Sequence, residues 1–125
     1  MLRARQWVFA PAAGNVTIEF AIVLPLLLLF VLGIIDAGRL VWTYTTLSRA
    51  VEAAARCASV NTILCATATQ IQDYAVTQAW GLPIKRSAFT TTTQSCGVQV
   101  RASHDFIFIF PRTTVTLNTI ACYPL

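Results

Sequence analysis

The apolar positions of this chain are distributed unevenly. From Phe20 to Ile35 nearly every residue is apolar, and the run is bounded by Glu19 on one side and Asp36 on the other. With the weakly polar Val16 to Ile18 before it and the small Ala37 and Gly38 after it, the segment reaches the roughly 20 residues that a helix needs to cross a hydrocarbon layer of about 30 Å. It reads as one membrane-spanning helix. Beyond Arg39 the pattern changes from continuous to periodic. Leu40, Tyr44, Leu47, Val51, Ala54 and Ala58 recur at alternating four- and three-residue steps, with Arg39, Thr43, Arg49, Glu52 and Arg56 between them. That spacing lines one face of a helix. A single helix from near Ile18 to about Ala58 would measure roughly 60 Å at 1.5 Å per residue, half of it inside a bilayer and half projecting.

After a loop at Asn61 to Cys65 the periodicity resumes over Thr67 to Trp80. Ile71, Tyr74, Ala75 and Ala79 share a face, and Gly81-Leu82-Pro83 supplies a stop. In the remainder the composition changes: Val98–Ser103 and Thr113–Ala121 alternate with a period of two, Ala88–Thr93 is Thr-rich and Phe106–Phe110 is an aromatic and β-branched run. Ser95-Cys96-Gly97, His104-Asp105 and Pro111 punctuate these runs as turn signals. Three or four antiparallel strands follow. The fold class is α+β. A long N-terminal helix carries a small head made of one helix and a three- or four-stranded sheet.

Composition sharpens this division. Of 125 residues, 56% are hydrophobic and 11% charged, less than half of the roughly 25% charge of an ordinary soluble domain. The same figures exclude intrinsic disorder. The net charge is +4, but only Lys85 and Arg86 are adjacent, so no nucleic-acid patch is visible. Arg3 and Arg5 precede the apolar run with no acidic residue near them, which places the N-terminus on the cytoplasmic side. A removable secretory signal fits poorly, because the small residues Pro11 to Gly14 lie before the apolar run and no A-x-A site follows it.

All four cysteines lie beyond the span, an arrangement that suits disulfides in an oxidising compartment. Their spacings lack a CxxC pair, and one histidine offers no ligand cluster, so a metal site is disfavoured. Three pairings are possible. Locality favours Cys57–Cys65 and Cys96–Cys122, for which loop entropy assigns about 2.6 and 3.6 kcal/mol as upper estimates. Ser103, His104 and Asp105 make no triad, because neighbouring strand residues face opposite ways. There is no nucleotide loop, acid pair or activated nucleophile, and the reading is non-enzymatic, with no cofactor and no small-molecule substrate. Gly33 and Ala37 form a small-xxx-small step. Asp36 and Arg39, three apart, are placed to form an interfacial salt bridge.

The densest signal is Gly14-Asn15-Val16-Thr17-Ile18-Glu19-Phe20. A carboxylate at the head of an apolar run is costly near the membrane core, by about 2.5 to 3.5 kcal/mol on insertion scales; in the headgroup layer it would favour the helix dipole by about 0.3 to 1 kcal/mol. This stretch resembles the processing and assembly motif of type IV pilin-like proteins, in which a prepilin peptidase cuts after a glycine and a glutamate stands fifth in the mature chain. Counted from Asn15, Glu19 is fifth. More narrowly, Glu19 to Pro25, then Gly33, Asp36 and Gly38, then Ala50 to Arg56, resembles the TadE-like family of the Tad (tight adherence) pilus system. The departure is Asn15, where general type IV pilins begin with Phe or Met.

The resemblance implies a division of the chain into a cytoplasmic leader (1–14), a transmembrane helix (15–38), a projecting amphipathic helix (39–60) and a disulfide-stapled periplasmic head (61–125), in a bacterial inner membrane. It implies cleavage between Gly14 and Asn15, and a charge pair between Glu19 and the new Asn15 amine of a neighbouring subunit. Pro25 would kink or locally unwind the helix. The implied partners are a prepilin peptidase, other pilin-like subunits, Tad assembly components and membrane lipid. The competing reading is an uncleaved, single-span anchor whose head binds a periplasmic ligand. Loss of residues 1–14 would remove Arg3 and Arg5, leaving seven basic against five acidic residues and a side-chain charge of +2.

Overall fold

The computed structural model describes residues 13–125. Residues 1–12, most of the segment read from sequence as a leader, lie outside the described residues. Helix α1 runs unbroken over Ala13–Val60, 48 residues or about 72 Å. It starts about a turn before the position the apolar pattern indicates and remains helical through Pro25. A 45-residue stretch of it, Val16–Val60, contains a window of mean hydropathy 2.8, long and apolar enough to cross a membrane.

The head forms around the distal part of α1. Helix α2 (Ala68–Gln78) begins at a capping box: the Gln70 amide donates to Thr67 Oγ1 at 3.3 Å, and the Thr67 amide donates to Gln70 Oε1 at 3.0 Å. These two bonds satisfy donors that a helix start leaves open. Ala79 caps the other end, and Gly81 then takes a positive φ of 82°. A 3-10 turn at Arg86–Ala88 leads into the sheet. There strands β1 (Phe89–Gln94), β2 (Gly97–Ile107) and β3 (Thr114–Tyr123) pair antiparallel in the order β1-β2-β3. Gly97, with φ 121°, closes the β1–β2 hairpin. A Cβ there would fall 2.0 Å from the Tyr123 carbonyl oxygen, so only glycine permits β3 to end beside it.

The sheet has three strands because His104-Asp105, read from sequence as a turn, lies inside β2. His104 pairs opposite Leu117 and Asp105 opposite Thr116, whose hydroxyl donates to the Asp105 carboxylate at 2.6 Å. A cross-strand partner for the carboxylate replaces the turn. Alternation along β2 therefore continues unbroken, with Val98, Val100, Ala102 and Phe106 buried.

Val98, Val100 and Ala102 meet Leu47, Ala50, Val51, Ala54, Ala55 and Ala58 of α1 and Ile71, Ala75 and Ala79 of α2 in one core. The buried stripe of α1 departs from the apolar reading at its near end: Leu40 is only half-buried, Tyr44 is 48% exposed, and Thr43 is buried instead. Thr43 can turn inward because its hydroxyl donates to the Arg39 carbonyl at 2.8 Å, satisfied within its own helix. The alanines let α1 and its neighbours approach closely. Two disulfides close the head, Cys57–Cys65 across the end of α1 and Cys96–Cys122 from the β1–β2 hairpin to β3, with Cα separations of 5.8 and 6.2 Å.

Candidate functional site: the two ends of the apolar half-helix

Gly14 and Asn15 lie in the first turn of α1, and Glu19 follows one turn after Asn15 on the same side of the helix. Glu19 is exposed, and among the described residues no cation lies within ion-pair distance of it. If the hydrocarbon layer spans Val16 to Ile35, Glu19 stands about 4 to 5 Å inside its edge. A carboxylate so placed is costly unless it is paired or protonated. Between it and Asp36 the helix offers lipid-like surface on nearly every side, Leu32 being half-covered. Pro25 sits near the middle of this stretch. Gly33 has open space around it: an added Cβ would meet nothing within 4 Å.

The other end of the apolar stretch is built differently. Asp36 is 3% exposed, although it directly follows the apolar run. Its carboxylate is met by backbone from the loop between β2 and β3. The Ile109 amide donates to both oxygens, at 3.1 and 2.9 Å, and the Phe110 amide donates to Oδ2 at 3.2 Å. Arg39 Nη1 completes the set at 2.9 Å from Oδ1, while its guanidinium lies 5.2 Å from the centre of the Phe106 ring. The Asp36–Arg39 pair is thus present but is the smaller part of the arrangement. A buried carboxylate is tolerated when charge-assisted donors surround it, and here it ties a loop to α1 across 73 positions of sequence. No local pattern announces such a partner; the one available cue was an acidic residue standing at the end of an apolar run.

The two pieces of the site, the exposed Glu19 and the clamped Asp36, belong to one helix rather than to a pocket. Residues 14–56 match the family model described as TadE-like protein. Over those residues the helix is similar to TadE-like proteins. The match opens at Gly14 and closes one residue before Cys57, so the TadE-like segment includes Glu19, Pro25 and Asp36 and leaves most of the head outside it. No curated protein and no solved structure matches the chain significantly. Among the described residues no cluster of His, Cys, Asp or Glu is arranged to hold a metal ion.

Proposed function

We propose that this chain is a TadE-like minor pilin or pseudopilin that acts in assembling a Tad/Flp-type pilus for surface attachment, and that it is structural rather than catalytic. The observation that carries the reading is the coincidence of a family match beginning at Gly14 with an exposed Glu19, without a cation partner among the described residues, one turn into an unbroken apolar helix. A prepilin peptidase cuts after Gly14, on the cytoplasmic face of the inner membrane, and the head stands in the periplasm. The new α-amine at Asn15 meets Glu19 of a neighbouring pilin-like subunit. In a low-dielectric setting, breaking such a pair by removing one partner costs about 3 to 5 kcal/mol, so it sets the register between subunits.

Intact-mass and N-terminal sequencing of the chain, produced in cells with and without a prepilin peptidase, tests this. The expected product begins at Asn15 only when the peptidase is present, and Gly14→Ala blocks its formation. A chain that keeps Met1 in both cells belongs instead to an uncleaved anchored binding module. Assembly with partner subunits that survives Glu19→Ala would remove the charge pair from the mechanism.

A further inference from the structure

The loop clamped by Asp36 has apolar side chains that the clamp leaves outside. Ile109 and Phe110 donate their amides to a buried carboxylate, yet their side chains are 49% and 60% exposed, and Ile107 beside them is 57% exposed. A fixed backbone with outward apolar side chains is a surface prepared for an apolar neighbour. Its location identifies that neighbour. Asp36 is the first residue after the apolar run, so it marks the boundary of the hydrocarbon layer, and the loop is held at that level by direct hydrogen bonds.

Two further features stand at nearly the same height. Trp42 lies six residues beyond Asp36, about 9 Å along the axis, near the outer edge of a headgroup layer about 5 to 8 Å deep. It is exposed, and it stacks edge-on with the 70% exposed Trp80 from the end of α2, ring centres 6.1 Å apart. Exposed tryptophans collect at this depth in membrane proteins. Arg112, next to the tip, is exposed and suits anionic headgroups.

We infer that the β2–β3 loop is a second membrane contact: its tip, Ile109 and Phe110, inserts into the interfacial layer of the bilayer that α1 crosses, and with Trp42 and Trp80 it seats the head on the lipid surface. This rests on the reading of α1 as a span, and not on cleavage or on any pilus partner. The head is therefore held at two places, one through the layer and one upon it.

The test uses the full-length chain in vesicles of phosphatidylcholine and phosphatidylglycerol, in a background in which Trp7, Trp42 and Trp80 are replaced by Phe. One reporter tryptophan is then introduced at a time: Phe110→Trp at the tip, Leu28→Trp in the span, and Ile63→Trp on the exposed far end of the head. Fluorescence is read with lipids brominated either near the headgroup or deep in the chain. The expected result is a blue-shifted Phe110→Trp emission that shallow bromines quench more than deep ones, the reverse preference for Leu28→Trp, and no quenching of Ile63→Trp. Ile109→Trp supplies the same reading if the Phe110 variant fails to fold. Quenching at Leu28→Trp together with a water-like, unquenched Phe110→Trp overturns the inference and leaves the span intact. A blue-shifted but unquenched tip means that protein, such as a second copy of the chain, covers it, and also overturns the lipid contact. Absence of quenching at Leu28→Trp overturns both span and seat.

Discussion

The two halves of α1 are one helix in two solvents. Before Asp36, side chains on nearly all sides are exposed and almost all are apolar; after it, one stripe is buried and the exposed faces mix polar residues with apolar ones such as Val41 and Trp42. Nothing in the backbone marks the change. The lesson is that helix continuity and burial are separable: local propensity and hydrogen bonding carry the backbone across the boundary, and the surroundings decide which faces are covered. Apart from the half-covered Leu32, the apolar residues described in the first half are exposed, whereas the buried ones in the second half are held by α2 and the sheet.

Substitutions can break that contrast. Leu47 is fully buried, so Leu47→Ala should destabilise the head by about 2 to 5 kcal/mol, whereas Leu27→Ala in the exposed half should change head stability by no more than about 0.5 kcal/mol. Urea melts in detergent micelles, followed by near-ultraviolet circular dichroism, compare the two; equal losses would mean that the halves are not independent. Replacing Cys96 and Cys122 together by Ser should cost up to about 3.6 kcal/mol, against about 2.6 for the shorter Cys57–Cys65 loop. The order of the two midpoints checks this, and the apolar half should report neither.

At the seam, Asp36→Ala leaves the Ile109 and Phe110 amides without their acceptor, an expected loss of about 1 to 3 kcal/mol. Hydrogen exchange should accelerate at those two amides while the core strand residue Val100 stays protected. Asp36→Asn, which keeps an acceptor oxygen, should fall between. The smallest effect belongs to the cap of α2: Thr67→Ala should cost about 1 kcal/mol, read as a lowered urea midpoint with unchanged exchange around Asp36. That outcome would confine the loss to the head and away from the seam.

Much of this arrangement is legible in the sequence because it depends on periodicity. The change from a continuous apolar run to a spacing of three and four, and then to a spacing of two, is enough for a long helix, a second helix and an antiparallel sheet. What periodicity misreads are polar residues that find partners. Thr43 was passed over for Tyr44 because counting apolarity ignores a hydroxyl that bonds to its own helix. His104-Asp105 looked like punctuation because the acceptor role of Asp105 depends on Thr116 across the strand. Asp36 was paired with its helical neighbour, since a contact to Ile109 leaves no trace in nearby residues. At the N-terminal end of the helix the motif is local, and Gly14, Asn15 and Glu19 can be read directly, although their use depends on another subunit.

The Asp36 clamp also governs how a pull would travel. Tension applied to the apolar half enters the head at its lowest point, where the carboxylate already grips the loop joining β2 and β3. Helix and sheet are thus engaged from the first turn above the boundary, and the load spreads along the whole α1 seam instead of peeling the sheet away from its base. A subunit drawn lengthwise out of a bilayer would keep its head square on its stalk.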